Sequence, residues 1–156
     1  MVMANRKKII TGTLVIVVLS IFFFWWYDKE LDWKNINAWT LSFGNNVVLV
    51  EVANTLELKK QGLSGRDSID DKKGMLFVFD RPETPSFWMK DMKFPIDIIF
   101  FDKDWNTVDI KENFPPESYP ETYTSKEKSK YVVEVNAGFA SRNNWQIGNQ
   151  VKFEAY

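Results

Sequence analysis

The sequence predicts a mainly β domain of the α+β kind, compact and mostly antiparallel, with two short helices. One N-terminal transmembrane helix precedes it. Three observations carry this reading. Runs of β-branched and aromatic residues recur between turn signals from Asn45 onward. Helix-capping chemistry is confined to short stretches. From Ile9 to Tyr27 there are 19 residues without a charge.

Taken in order, residues 1–8 form a basic tail containing Arg6, Lys7 and Lys8. Residues 9–27 read as a signal anchor. At about 1.5 Å rise per residue, such a helix spans roughly 28 Å, close to the bilayer's hydrocarbon core. Trp25, Trp26 and Tyr27 sit where an interfacial aromatic belt belongs. The same bulky residues suit signal peptidase poorly, so the segment reads as an uncleaved anchor. Basic residues before the span and Asp28, Glu30 and Asp32 after it put the N-terminus in the cytoplasm. The protein is therefore expected in the cell membrane, single-pass, with its C-terminal domain outside the cytoplasm. Residues 28–44 read as a juxtamembrane spacer, in which Trp33, Ile36 and Trp39 recur every three residues. Residues 45–156 form the extracytoplasmic domain.

Within it, Asn45-Asn46 is a turn signal before the strand Val47–Val52. Asn54 and Thr55 offer N-cap groups to a helix ending near Gln61, with Gly62 as its stop and Glu57 placed as in a capping box with Asn54. Met75–Phe79 is a strand, Ser86–Lys90 a shorter one. Ile96–Phe101 and Thr107–Lys111 form a hairpin around Asp102–Asn106. Pro115, Pro116 and Pro120 make 114–125 an irregular loop. Tyr131–Val135 is a strand, Ala137–Asn143 one or two helical turns, and Gln150–Glu154 the last strand, after a Gly148-Asn149 turn.

Composition restricts the chemistry. There is no cysteine and no histidine. Disulfides, thiolate metal sites, imidazole ligands and Ser-His-Asp or Cys-His catalysis are excluded. Net charge is −1. With the three basic residues of the tail set apart, 17 Lys and Arg face 21 Asp and Glu, leaving −4 outside the span. That balance does not suit nucleic acid. No cofactor or metal is called for. Met75, Met89 and Met92 are read as core filler rather than thioether ligands for copper. The Asp102-x-Asp104-x-Asn106 run lacks the spacing of a calcium loop and reads as a solvated turn.

Several blocks resemble a known family. Gly62-Leu63, Arg66 and Gly74-Met75-Leu76-Phe77-Val78-Phe79 form the first. Phe87-Trp88-Met89-Lys90 with Pro95-Ile96-Asp97-Ile98-Ile99-Phe100 form the second. Tyr131–Val135 with Gly138, and Gly148 before the last strand, form the third. Together they are similar to the domain-of-unknown-function 192 family, also called uncharacterised protein family 0127, over roughly Val47 to Phe153. The resemblance implies a small β-rich, barrel-like fold, often exported or membrane-anchored in bacteria and archaea, and no assigned reaction. After Trp-Met-Lys the family has Asn-Thr; this chain has Asp91-Met92.

Two residues stand out as a polar centre. Asp97 shares a strand face with Ile99 and Phe101, where a carboxylate needs a partner. Arg66 is the natural choice, and an Arg66–Asp97 bridge between the loop after the first helix and the sheet is expected. Trp88, Met89, Lys90 and Glu134 complete a candidate binding face beneath the 114–125 loop. Trp88 is read as core in preference to groove wall. Carboxylates that could serve acid–base chemistry are Asp97, Glu134 and Glu51, each in an apolar strand pattern; a glycosidase needs two at about 5–9.5 Å. The favoured function is a membrane-anchored, extracytoplasmic binding or cell-envelope accessory module. Its partners would be the bilayer, through 9–27, and a protein or envelope ligand. The alternative is a carboxylate-dependent hydrolase of an envelope polymer, the less favoured class.

Overall fold

The computed structural model describes residues 38–155. The basic tail and the 9–27 span therefore lie outside the described residues. Among the described residues, no helix is long and apolar enough to cross a membrane.

Seven strands form one sheet: β1 (Ala38–Phe43), β2 (Asn46–Ala53), β3 (Lys73–Glu83), β5 (Ile96–Phe101), β6 (Thr107–Phe114), β8 (Ser129–Asn136) and β9 (Lys152–Ala155). Their order is β6-β5-β8-β3-β2-β1-β9. Strands β4 (Ser86–Trp88) and β7 (Thr122–Thr124) form a separate antiparallel pair. Helix α1 (Leu56–Gln61) lies between β2 and β3, and α2 (Phe139–Arg142) follows β8.

Three expectations need correction. The sheet is mixed, because β2 and β3 run parallel. A parallel pair needs a crossover, and the 54–72 segment with α1 supplies it. The sheet is also not a closed barrel. β6 and β9 are its edges, and among the described residues the isolated Asn106–Gln150 bridge lies in the chain beside them. Closure needs a continuous ladder, but all four residues of β9 pair with β1. Finally, the sheet begins at Ala38, inside the stretch read as spacer. Trp39, Leu41 and Phe43 alternate with Thr40 and Ser42, a period of two that the three-residue spacing of Trp33, Ile36 and Trp39 obscured. Leu41 and Phe43 are buried. Gly44-Asn45, rather than Asn45-Asn46, makes the β1–β2 turn, with Gly44 at φ +61°.

Alternation gives the sheet two apolar faces. Leu41, Phe43, Val50, Leu76, Ile99, Phe101, Val133 and Val135 form one, covered by Phe139 and Ala140 of α2 and by Trp145. Ala53, Met75, Phe77, Ile98, Phe100 and Val132 form the other, covered by Leu63, Phe87 and Met89. All six residues of β5 are buried, which requires cover on both sides. Each such large side chain contributes roughly 1.5–3 kcal/mol by leaving water.

Local chemistry sets the short elements. Thr55 caps α1, its Oγ1 accepting from the Leu58 amide at 3.3 Å. Glu57 therefore falls at the second helical position, not the third, and forms no capping box with Asn54. Asp102 accepts from the amides of Asp104 (2.8 Å) and Asn106 (2.9 Å) and from the Asn106 side chain (2.9 Å). That carboxylate is spent on its own turn. Part of the proline-rich loop is a strand, β7. Tyr123 donates to buried Asp109 at 2.9 Å, and the Lys126 amide donates to the same oxygen at 2.9 Å. Burial, and then this bond, push the Tyr123 phenol up to about 12.

Candidate functional site

Residues paired across adjacent strands share a face. Glu51 pairs with Met75, Met75 with Glu134, and Glu134 with Ile98. Two carboxylates thus lie in one row on the second apolar face. Asp97 pairs with Val135, one residue along, and so points to the opposite face.

That one-residue offset overturns the expected Arg66–Asp97 bridge. The Arg66 guanidinium forks onto Glu51, with Nη1–Oε1 and Nη2–Oε2 both at 2.6 Å. A bidentate pair of this kind is directional as well as charged. Asp97 is fully buried. Its Oδ1 accepts from the amides of Asn113 (2.9 Å) and Gly138 (3.1 Å), and its Oδ2 from Ala140 (2.9 Å). Asp97 ties the far end of β6 and the start of α2 to β5.

Glu134 has a different environment. It forms the floor of a cleft of about 510 Å³. The volume lies within the range typical of small-molecule sites. One wall is α1 and its exit: Leu56, Lys59, Lys60, Gly62 and Leu63. The other is Phe87 and Trp88 of β4, with Thr122 of β7 and Met92 beside them. Phe77 and Phe79 of β3 line the base. The α1 exit is held in place by two bonds to the 89–92 turn. The Gly65 amide donates to the Asp91 carbonyl at 2.8 Å, and the Ser64 hydroxyl to the Lys90 carbonyl at 2.7 Å.

The Glu134 side chain is buried, yet its Oε2 has no hydrogen-bond partner. Burial pushes its carboxyl up to about 8, against the opposing pull of Arg66 and the Leu63 amide. At pH 7 the group is mostly protonated. Gly62 sits directly over it: a Cβ there would lie 3.5 Å from Oε2 and 3.5 Å from the Phe77 ring. With φ +54° and no side chain, Gly62 both ends α1 and leaves room beside the carboxyl.

The expected binding face is split by these positions. Trp88 is not core: it is 48% exposed and lines the cleft wall. Glu134 is the floor. Met89, the residue after β4, is buried. Lys90 is exposed and contributes its carbonyl to the Ser64 bond rather than a side chain to the cleft. Arg66 acts on Glu134 through its charge. Of the 114–125 loop, Thr122 reaches the cleft. The residues that sequence reasoning missed are Lys59, Lys60, Gly62 and Leu63. Their signal was Gly62, a helix stop next to a family block.

A model of the DUF192 family, described as "Uncharacterized ACR", matches residues 39–153. The chain belongs to the DUF192 family. Two solved structures are similar. One is a protein of unknown function from Novosphingobium aromaticivorans DSM 12444. It is 30% identical with a TM-score of 0.68, over 75% of this chain and 84% of that one. The other, from Sinorhizobium meliloti 1021, is described as a proposed transcription regulator. It is 29% identical with a TM-score of 0.69, over 74% of this chain and 92% of that one. No functionally curated protein gives a significant match. For this DUF192 chain, the β1 strand explains why the family match begins at residue 39, earlier than the motif blocks alone imply.

Proposed function

We propose that this DUF192 chain is a membrane-anchored, extracytoplasmic binding module whose ligand enters the Glu134 cleft. The unpartnered Oε2 at the floor of an aromatic cleft carries the reading. A buried polar atom without a partner costs about 1–3 kcal/mol, and a bound group that pairs with it recovers that cost. Exposed Trp88 supports the same conclusion, because a large ring held half in water offers contact area to a ligand. The 19-residue uncharged run supports the anchor.

The hydrolase alternative asks for two carboxylates facing one bond. Glu51 is committed to Arg66, and Glu83, the other carboxylate lining the cleft, is exposed on its rim. Binding therefore accounts for the site better.

A photo-crosslinking amino acid placed at Trp88 in intact cells tests the reading. The expected result is an adduct of discrete mass that is absent when the same amino acid replaces Asp104 in the remote hairpin. Identical adducts at both positions would contradict it. Cleavage of the domain by protease added outside intact cells tests the topology; protection until permeabilisation would contradict the placement.

A further inference from the structure

The chemistry of the cleft narrows what it accepts, and the inference rests on the cleft being a binding site. We propose that the Glu134 cleft takes a neutral ligand with an apolar or aromatic body and a carbonyl group, the Glu134 carboxyl donating its hydrogen to the carbonyl oxygen.

Three observations exclude the other simple choices. A cationic ligand meets Lys59 and Lys60 on the α1 wall and Arg66 behind the floor. Glu51 already neutralises Arg66, and Glu83 lies at the rim. No carboxylate is left inside to hold an ammonium group except Glu134, whose ionised form is disfavoured by burial. A purely apolar ligand leaves the buried Oε2 still without a partner. An anion at the floor would lose its hydration where Arg66 is already paired with Glu51 and Lys59 lies over the Phe79 ring. A neutral acceptor on an apolar body satisfies both the floor and the walls: Phe77, Phe79 and Trp88 take the body, and the carboxyl takes the oxygen.

The proposal has a sign in pH. Only protonated Glu134 donates, so affinity follows the protonated fraction. With the carboxyl at about 8, apparent affinity at pH 9 should be about tenfold weaker than at pH 6.5.

The test uses the uniformly 15N-labelled full chain in lipid nanodiscs, titrated with benzamide, benzylammonium and toluene at matched free concentrations. Binding is read from the amides of Gly62 and Leu63 and the Trp88 indole. Benzamide should bind best at pH 6.5 and weaken about tenfold by pH 9. Glu134→Gln, which keeps an N–H donor, should retain benzamide binding and lose the pH dependence. Glu134→Leu should lose the preference for benzamide over toluene. The inference is overturned if benzylammonium binds more tightly than benzamide, or if toluene equals benzamide in the wild type. It is also overturned if affinity is flat from pH 6.5 to 9; in each of these cases the cleft remains a binding site. If none of the probes moves these three resonances, the binding reading falls as well.

Discussion

Asp97 and Glu134 are buried carboxylates on neighbouring strands of one sheet, one register position apart. They resemble each other in sequence, each a single acid within an apolar run. Their surroundings are opposite. Asp97 accepts three backbone amides and has no cleft beside it among those described. Glu134 keeps one oxygen without a partner, beneath a glycine and against an aromatic wall. The comparison teaches that burial of an acid does not mark function by itself. What distinguishes the two is whether the protein has used the group's hydrogen-bonding capacity.

The largest effect should come from Asp97→Ala. It orphans the amides of Asn113, Gly138 and Ala140, each at about 1–3 kcal/mol, so a loss of about 3–5 kcal/mol is expected in urea unfolding. An effect below about 1 kcal/mol would break the contrast. Glu134→Gln should act in the opposite direction. The folded carboxyl is raised to about 8 from an ordinary 4.5. The folded state thus holds a proton that the unfolded state releases, and wild-type stability falls as pH rises from about 4.5 to about 8. The variant lacks that slope. Its advantage should be small near pH 5 and reach about 2–4 kcal/mol by pH 8.

A smaller loss, about 1 kcal/mol, is expected for Tyr123→Phe, because Asp109 keeps its two amide donors when the phenol is removed. Trp88→Ala should change stability least, within about 0.5 kcal/mol, since half of the ring is already in water. A large loss there would make Trp88 a core residue and not a ligand wall.

These contrasts also show what could be read before the fold was known. The apolar runs of β2, β3, β5 and β8 were legible because their composition is dominated by β-branched and aromatic residues. So was the presence of Glu134 and Asp97 in such runs. Their difference was not. It depends on which strand lies beside which, and a one-residue register offset decides the face. For the same reason Arg66 pairs with Glu51 and not with the expected Asp97. Glu51 lies in β2, and Arg66 reaches it from the crossover between α1 and β3. Strand β7 was hidden by Pro115, Pro116 and Pro120, which precede it without interrupting it. The barrel expectation failed because edge pairing is a property of strand length and tilt, neither of which a hydrophobic pattern encodes.

The central claim is that Glu134 is a protonated acid in the cleft lining, with one buried oxygen left unpartnered. A carboxyl 13C titration of the full chain, with the Glu134 resonance assigned through Glu134→Gln, tests it most directly. The account predicts a midpoint near 8 for that resonance. A midpoint at the ordinary value near 4.5 would mean that the carboxyl is charged and solvated at neutral pH, and would contradict it.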